Sequence, residues 1–285
     1  KQRYLNQPYG DVWLKLRPLA YETHPYRWAT IGQDLAQIEK AKMEDVKAFF
    51  KKHYNPQNAI LVVGGNVKTE DVKAMAEKWF EPIPPGEKYE RNLPKEPEQV
   101  QAKTLTVNAN VPLNAIYIAF KMPARLDPTY QVYDLMTDIF SQGQSSRLYN
   151  SLLKDQQLFS DINAYISSSL DEGLFIVEGK LVAGVAMEVA EKAIWLELEK
   201  MTTTLVSDDE LTKVINKSES IMVFSEMNLL DKAMNLAYYE LLGDADLLNQ
   251  EINKYTAITA EQIQQAAKAT LQKEKSSTLY YLANA

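Results

Sequence analysis

The residues best suited to chemistry lie in Gly143-Gln-Ser-Ser146, a small polar run that leads into an apolar helical stripe. A helix that begins there could bind an anion through its first backbone amides, or it could present Ser145 or Ser146 as a nucleophile. A nucleophilic serine needs a neighbouring base, and the chain has no G-x-S-x-G turn and two histidines in all. Capping of a structural helix by Ser145 explains the same residues, and we favour that interpretation.

The two histidines, His24 and His53, are the candidate metal ligands. A catalytic zinc ion needs three protein ligands at a workable spacing, whereas these histidines stand 29 positions apart and belong to no H-x-x-E-H or H-x-x-E motif. We expect His24 in a loop shaped by Pro25, and His53 at a helix end where a cation complements the dipole. Residue types and spacing alone therefore indicate no active site in this chain.

The composition of the chain argues against several kinds of binding site and against a membrane-spanning helix. The chain has 285 residues, a net charge of −7 and no cysteine, which argues against a nucleic-acid-binding surface and excludes disulfides and thiolate metal sites. No apolar run approaches the roughly 18 residues that a transmembrane helix needs. The sequence begins at Lys1 with no visible signal peptide, which suggests a mature product or a fragment of a longer protein.

A proline-rich, charged stretch at residues 82–103 divides the chain and is typical of an extended linker, since it holds five of the 12 prolines. Beyond it, apolar patterns predict strands and helices, and two S/T-x-x-E/Q capping boxes start helices at Ser207 and Thr259. The predicted strands are residues 104–107, 115–121, 160–169, 173–182 and 277–282. The predicted helices include residues 130–140 and 187–205.

Before the linker, the pattern predicts a helix over residues 44–54, a strand and a second helix over residues 69–80. Residues 59–63 form a continuous apolar run between turn residues, which predicts a buried strand. In the second helix, Val72, Ala76 and Trp79 are expected on the inner face. The first helix carries its apolar side chains on one face: Val46, Phe49, Phe50 and Tyr54.

Residues 35–63 repeat the plan of residues 252–282. An offset of 217 positions pairs Glu44 with Glu261 and Val46 with Ile263, and each segment has an acidic helix start, a helix of about ten residues, a polar break and an apolar strand. We interpret this internal similarity as a duplicated unit. On that interpretation the second copy is complete, and the first lacks its opening half.

Four stretches in this order resemble the pitrilysin/insulinase-type zinc metallopeptidases, or inverzincins, which include mitochondrial processing peptidase and bacterial zinc proteases. They are NQPYG (6–10), HPYRWATIG (24–32), MEDVKAFFKKHYNPQNAILVVGGNV (43–67) and SSRLYNSLL (145–153) with the hairpin after it. The resemblance implies an α+β fold with a mostly antiparallel sheet covered by helices. It also implies duplicated half-domains: a truncated first domain at 1–81, the linker at 82–103, and a complete, inactive second domain at 104–285.

The family's zinc site is H-x-x-E-H plus a downstream glutamate, and it lies in the first half of the first domain. No residue of this chain matches it, so the resemblance implies no catalytic residue, metal ligand or cofactor here. Zinc is expected for the parent protein, either upstream of Lys1 or in a partner. The chain is then the family pattern cut off after its metal site, or a relative that never had one.

Family members also carry an arginine and a tyrosine seven residues apart, which act on the substrate near the scissile bond. Counting along SSRLYNSLLKDQQLFS places them at Leu153 and Ser160, and neither side chain can replace a guanidinium or a phenol. A shift of one residue does not restore the pair. Arg147 falls too early and belongs to the part of the motif that we interpret as structural.

The resemblance therefore implies a non-catalytic, C-terminal region that helps to form a chamber for a peptide or an unfolded protein. An active parent would form a homodimer or heterodimer with a peptidase-like subunit that supplies the arginine and tyrosine. The alternative is a catalytically inert scaffold or assembly subunit. A periplasmic location is the family-level expectation for a bacterial member.

Overall fold

The structure is a computed structural model that describes residues 2–32, 34–167 and 170–284. The described residues form one five-stranded sheet, eleven α-helices, a π-helix and three short 3₁₀ turns. The strands are β1 (Lys103–Ala109), β2 (Ala115–Met122), β3 (Phe159–Ser167), β4 (Gly173–Leu181) and β5 (Ser276–Ala283). The helices are α1 (Gln2–Leu5), α2 (Val12–Ala20), α3 (Leu35–Glu39), α4 (Met43–His53), α5 (Thr69–Phe80), α6 (Tyr130–Ser141), α7 (Met187–Thr203), α8 (Asp208–Ser225), α9 (Leu229–Leu242), α10 (Leu247–Thr256) and α11 (Ala260–Thr270).

The sheet has the strand order β1-β5-β2-β4-β3, and every neighbouring pair is antiparallel except β1 with β5. The predicted class, a mostly antiparallel sheet covered by helices, is therefore confirmed. The five predicted strands match β1 to β5 within a few residues, although residues 168–169 of the predicted hairpin lie outside the described part. None of the helices in the described residues is both long and apolar enough to cross a membrane.

Strand β2 is buried on both faces because helices cover the sheet on each side. On one face, Phe120 meets Trp195 of α7 edge to face, with ring centroids 5.8 Å apart. On the other face, Tyr117 belongs to a buried cluster that includes Leu16 of α2. A continuous apolar strand such as β2 is what burial on both faces requires.

The chain folds into two compact units. Unit 1 comprises residues 1–32, 94–217 and 254–285 and contains the whole sheet, and unit 2 comprises residues 33–93 and 218–253. These units group the residues by packing, whereas the predicted segments 1–81, 82–103 and 104–285 describe a duplication. The predicted boundaries therefore stay a prediction.

The end of the predicted linker is anchored in unit 1 by Glu96. Its buried carboxylate accepts hydrogen bonds from the backbone amides of Glu22, Thr23 and His24 at 2.6–2.9 Å and from the Lys121 ammonium at 3.1 Å. Burial opposes the charge, but these donors outweigh it and hold the pKa of Glu96 at about 2. The anchor joins residues more than 70 positions apart, so no local pattern predicts it.

Both predicted capping boxes are present in unit 1. Glu210 N–H donates to Ser207 Oγ while Ser207 N–H donates to the Glu210 carboxylate, each at 3.2 Å. Thr259 and Gln262 make the same reciprocal pair at the start of α11. Short-range hydrogen bonding by these side chains therefore determines where the helices begin.

Two predictions for unit 2 are wrong. Residues 59–63 form no strand, because no described residue pairs with them, and Leu61 is 60% exposed. Helix α5 has the predicted bounds, but Trp79, expected on its inner face, is 66% exposed. The apolar pattern is present in both cases, but no described strand pairs with residues 59–63. In α5, Val72 and Ala76 are half-buried and Trp79 is not.

Candidate functional site

The Gly143–Ser146 stretch leads into a helical turn at Arg147 that continues as a π-helix over Tyr149–Asp155. The Ser146 hydroxyl is fully buried and donates to the Gly143 carbonyl oxygen at 2.8 Å. Ser145 Oγ accepts a hydrogen bond from the Lys213 ammonium at 3.0 Å, and no side chain caps the π-helix. Ser146 therefore stabilises the turn, whereas Ser145 contacts α8 instead of forming the predicted helix cap.

Arg147 forms a two-pronged ion pair with Glu210, the residue that also caps α8. Arg147 Nε and Nη2 each lie 2.8 Å from a Glu210 carboxylate oxygen. The Arg147 guanidinium, together with the bonds from Ser207, holds the pKa of Glu210 at about 2. Arg147 thus joins the π-helix to the start of α8, which agrees with the structural role predicted for the S-S-R-L motif.

The two positions singled out by the family resemblance, Leu153 and Ser160, lie on the π-helix and at the start of β3. Leu153 is half-buried, and Ser160 is exposed at an irregularity in the β3–β4 ladder, where its hydroxyl donates to the Lys180 carbonyl oxygen at 3.1 Å. Gln157 between them has a φ of +52°, a left-handed conformation that a non-glycine residue adopts at a cost. π-Helical turns are rare and recur at functional sites.

A buried carboxylate of α7 is hydrogen-bonded to the π-helix. Glu197 of α7 is 4% exposed, accepts from Ser151 Oγ of the π-helix at 2.6 Å, and pairs with the Lys200 ammonium at 2.6 Å. Gln156 Nε2 extends the network by donating to Ser151 Oγ at 3.0 Å. Neither this network nor the π-helix is predictable from the sequence, because neither has a short-range signature.

The face of the sheet beside β3 carries half-buried polar side chains. Tyr165 of β3 donates its hydroxyl to the Glu178 carboxylate of β4 at 2.9 Å. Burial raises the pKa of Glu178, and burial together with the Glu178 charge raises the pKa of Tyr165. Burial therefore favours the uncharged form of both groups.

The two histidines lie in separate structural settings. His24 caps the 3₁₀ turn Pro25–Arg27, since its Nδ1 accepts from the Tyr26 amide at 3.2 Å while Nε2 lies 3.1 Å from Asp171 Oδ2. His53 ends α4 as predicted. Over residues 2–32, 34–167 and 170–284, no three His, Asp or Glu side chains come close enough together to hold a metal ion.

Strand β3 is an edge strand of the sheet. Its ladder runs along β4, and no other described strand pairs with it. Two apolar side chains of β3, Ile162 and Ala164, are buried. The Ala164 carbonyl oxygen accepts a hydrogen bond from Ser141 Oγ of α6 at 2.8 Å. A rigid strand with one unpaired side can add a further extended chain at little cost in entropy.

Comparison with known proteins identifies the family. The model of the peptidase M16 inactive domain matches residues 40–218. The zinc protease PqqE of Helicobacter pylori (strain ATCC 700392 / 26695) is 25% identical over 278 residues, which are 96% of this chain and 62% of the relative. The chain thus spans less than two thirds of that relative's length.

Solved structures give the same result for the fold. The crystal structure of a protease from Helicobacter pylori matches 98% of this chain and 68% of its own length at a TM-score of 0.87 and 25% identity. A chain of Complex III2 from Candida albicans matches 98% of this chain and 68% of its own length at a TM-score of 0.79 and 15% identity. The predicted relationship is confirmed: the chain belongs to the peptidase M16 inactive domain family.

Proposed function

We propose that this chain is the non-catalytic region of a zinc-metallopeptidase-like protein, and that it holds an extended peptide in a chamber completed by other polypeptide. The zinc site belongs to that other polypeptide, upstream of Lys1 or in a partner. This is supported because neither His24 nor His53 lies in a ligand cluster among the described residues. A chain of Complex III2 from Candida albicans has this fold, which supports a role beside a second, peptidase-like body.

One observation carries the peptide-holding role: β3 is nine residues long and pairs along one side, with β4 alone among the described strands. The other edge strand, β1, is shorter, and its side chains are mostly exposed. An added strand on β3 would pass close to Ser160 and Tyr165. Hydrogen bonds from a backbone edge bind many sequences, as a peptidase chamber requires.

The test uses a fluorescent, unstructured peptide of about ten residues, long enough to follow β3. Two N-methylated versions block alternate sets of its amides. Because one set faces the neighbouring strand, we expect one version to bind at least tenfold more weakly and the other to bind normally. Hydrogen exchange should slow across residues 159–167 and stay unchanged across residues 103–109, the matched control edge. Equal binding of both versions, or protection at β1 instead, would refute the role.

The non-catalytic assignment has its own test. With added zinc, the 285-residue chain should bind no stoichiometric metal and cleave no peptide, as measured by metal analysis and a fluorogenic substrate. Cleavage that a chelator abolishes would overturn it. If the parent takes its arginine and tyrosine from a partner because Leu153 and Ser160 lack them, a stable monomer with full peptidase activity would rule out that partner.

The second candidate is a catalytically inert scaffold or assembly subunit. The match to a chain of Complex III2 from Candida albicans, which covers nearly all of this chain, favours it. Failure of the peptide to bind β3, together with a stable complex with a peptidase-like subunit in size-exclusion chromatography, would support the scaffold over the peptide-holding role.

A further inference from the structure

A small pocket lies beside α2 in unit 1, which we call the α2 pocket. Trp13, Leu14 and Arg17 of α2 form its floor, and its volume is about 200 Å³. Sites for drug-sized ligands have volumes of roughly 300–1,000 Å³. The α2 pocket is therefore the size of a site for one amino-acid side chain or a comparably small molecule.

One wall of the α2 pocket is the turn that leads from α1 into α2. Gly10 N–H donates to the Gln7 carbonyl oxygen at 3.0 Å, and a side chain at residue 10 would collide with the Tyr4 carbonyl oxygen. The Tyr9 hydroxyl donates to the Leu113 carbonyl oxygen at 2.7 Å and accepts from the Leu113 amide at 3.1 Å. These bonds fix the turn on the body of unit 1.

The opposite wall consists of residues 29–31, which follow the 3₁₀ turn Pro25–Arg27. Trp28 N–H closes that turn by donating to the Pro25 carbonyl oxygen at 3.0 Å. Arg17 Nη1 donates to the Trp28 carbonyl oxygen at 3.3 Å and so joins the floor to this wall. Because both walls are held by hydrogen bonds, a ligand has little ordering entropy to overcome.

Arg17 is the one charged side chain among the described residues that line the α2 pocket. Its guanidinium carbon lies 5.3 Å from the centroid of the Trp13 ring, which favours a fixed orientation of the cation. Among the described residues, no carboxylate forms an ion pair with Arg17. The bond to Trp28 uses one N–H group of the guanidinium, so the side chain keeps donors for an anion.

The rest of the lining is mostly apolar. Leu14, Ala29 and Ile31 supply aliphatic surface, and Trp13 supplies the face of an indole ring. A ligand with an apolar body covers this surface, and a carboxylate on that body satisfies the guanidinium with charge-assisted hydrogen bonds. A neutral ligand leaves the guanidinium without a partner, and a cationic ligand is repelled by it.

We propose that the α2 pocket binds an apolar carboxylate, with the apolar body between Trp13 and Ile31 and the carboxylate on the Arg17 guanidinium. A free carboxylic acid and the C-terminal residue of a peptide both have this chemistry. The second source is within reach of β3, because the Trp13 ring centroid lies 6.4 Å from that of Tyr165. The pocket itself does not depend on peptide binding at β3.

The test titrates the 285-residue chain with 3-phenylpropionate and with its uncharged amide in a calorimeter. We expect the acid to bind at least tenfold more tightly than the amide, because a hydrogen-bonded ion pair is worth about 1.5–3 kcal/mol. Arg17→Gln should remove this preference. The matched control is Arg27→Gln, since Arg27 donates to the Glu22 carbonyl oxygen and does not line the pocket.

A second variant changes the wall and leaves α2 intact. Ile31 is 37% exposed, so Ile31→Glu is compatible with folding and places a carboxylate in the pocket. This variant should weaken binding of the acid at least tenfold, and circular dichroism should show unchanged helix content in all three variants. Equal binding of acid and amide, binding of neither, or a preference that survives Arg17→Gln would overturn the proposal.

The source of the carboxylate is tested with the peptide used for β3, made with a C-terminal phenylalanine as the free acid and as the amide. Tighter binding of the free acid, lost in Arg17→Gln, would identify the C-terminal residue of a peptide as the ligand. Equal binding of the two peptides, beside Arg17-dependent binding of 3-phenylpropionate, would identify a free acid. A failure of peptide binding at β3 is therefore distinct from a failure of the pocket.

Discussion

Residues 43–66, the first segment, and residues 260–283, the second segment, have the same backbone conformation and differ in burial. Val46 of α4 is 55% exposed, whereas its counterpart Ile263 of α11 is fully buried. Tyr54 is 68% exposed, and its counterpart Leu271 is 6% exposed. The same helix, turn and extended run therefore form with or without a sheet beneath them. Local sequence specifies these elements, while long-range pairing determines whether they belong to a core.

The largest predicted difference between the segments comes from truncating their paired apolar positions. Ile263→Ala should lower the free energy of unfolding by about 2–5 kcal/mol, because it leaves a cavity beneath the sheet. Val46→Ala should change it by less than about 0.5 kcal/mol, since Val46 is exposed. Urea denaturation followed by circular dichroism measures both. Equal losses would mean that Val46 is covered in the isolated chain.

Acid should weaken unit 1 by protonating the Glu96 anchor. The pKa of Glu96 is depressed from 4.5 to about 2 in the folded chain, so its contribution is complete above pH 4.5 and is lost as the pH falls toward 2. Glu96→Gln should cost on the order of 1–3 kcal/mol at neutral pH and should flatten the stability curve between those limits. Urea titrations at several pH values measure this.

The matching contact in unit 2 serves as the control for the Glu96 experiment. The Asn58 Oδ1 atom accepts from the Tyr89 amide at 2.8 Å, a neutral bond with no acid titration. Hydrogen exchange at the amides of residues 22–24 should accelerate in acid relative to its intrinsic rate, and exchange at Tyr89 should not. An unchanged pH slope in Glu96→Gln would refute the anchor.

The helix caps offer a smaller contrast. Thr259 Oγ accepts from the Gln262 amide at the start of α11, whereas Lys42, its counterpart before α4, offers no acceptor atom. Thr259→Ala should therefore cost about 1 kcal/mol, and Lys42→Ala should be near neutral. Thermal unfolding of both variants gives the comparison, and a larger loss from Lys42→Ala would contradict it.

The smallest predicted effect is a gain in helix stability. Lys42→Thr gives the first segment the cap that the second segment has, and the extended conformation of residue 42 already suits it. We expect α4 to gain up to about 1 kcal/mol, visible as slower hydrogen exchange in the first turn, near Asp45. A loss of stability would show that the Lys42 ammonium makes a contact worth more than the cap.

The sequence predicted the elements whose determinants are local and failed where the determinants are distant. The capping pairs Ser207–Glu210 and Thr259–Gln262 lie within one turn, so their helices were predicted correctly. The run 59–63 has the composition of a buried strand, but a strand also needs neighbours, and the described chain provides none for it. The same apolar signal was correct for β2, where neighbours exist.

The candidate site was less predictable than the fold. Counting from the S-S-R-L motif located Leu153 and Ser160, but it did not predict the π-helix or the left-handed Gln157 between them. Glu197 supports that helix from α7, more than 40 residues further along the chain. Such contacts carry no spacing pattern, because the two partners are brought together by the packing of α7.

The central position of β5 has a consequence for synthesis. β5 is the last strand of the described residues, yet it lies between β1 and β2, which are made more than 150 residues earlier. While the chain emerges from the ribosome, β2, β3 and β4 can pair, but β1 stays detached until residue 283 arrives. A stalled chain that ends before residue 276 would expose both β1 and the open edge of β2. Such unpaired strand edges favour aggregation.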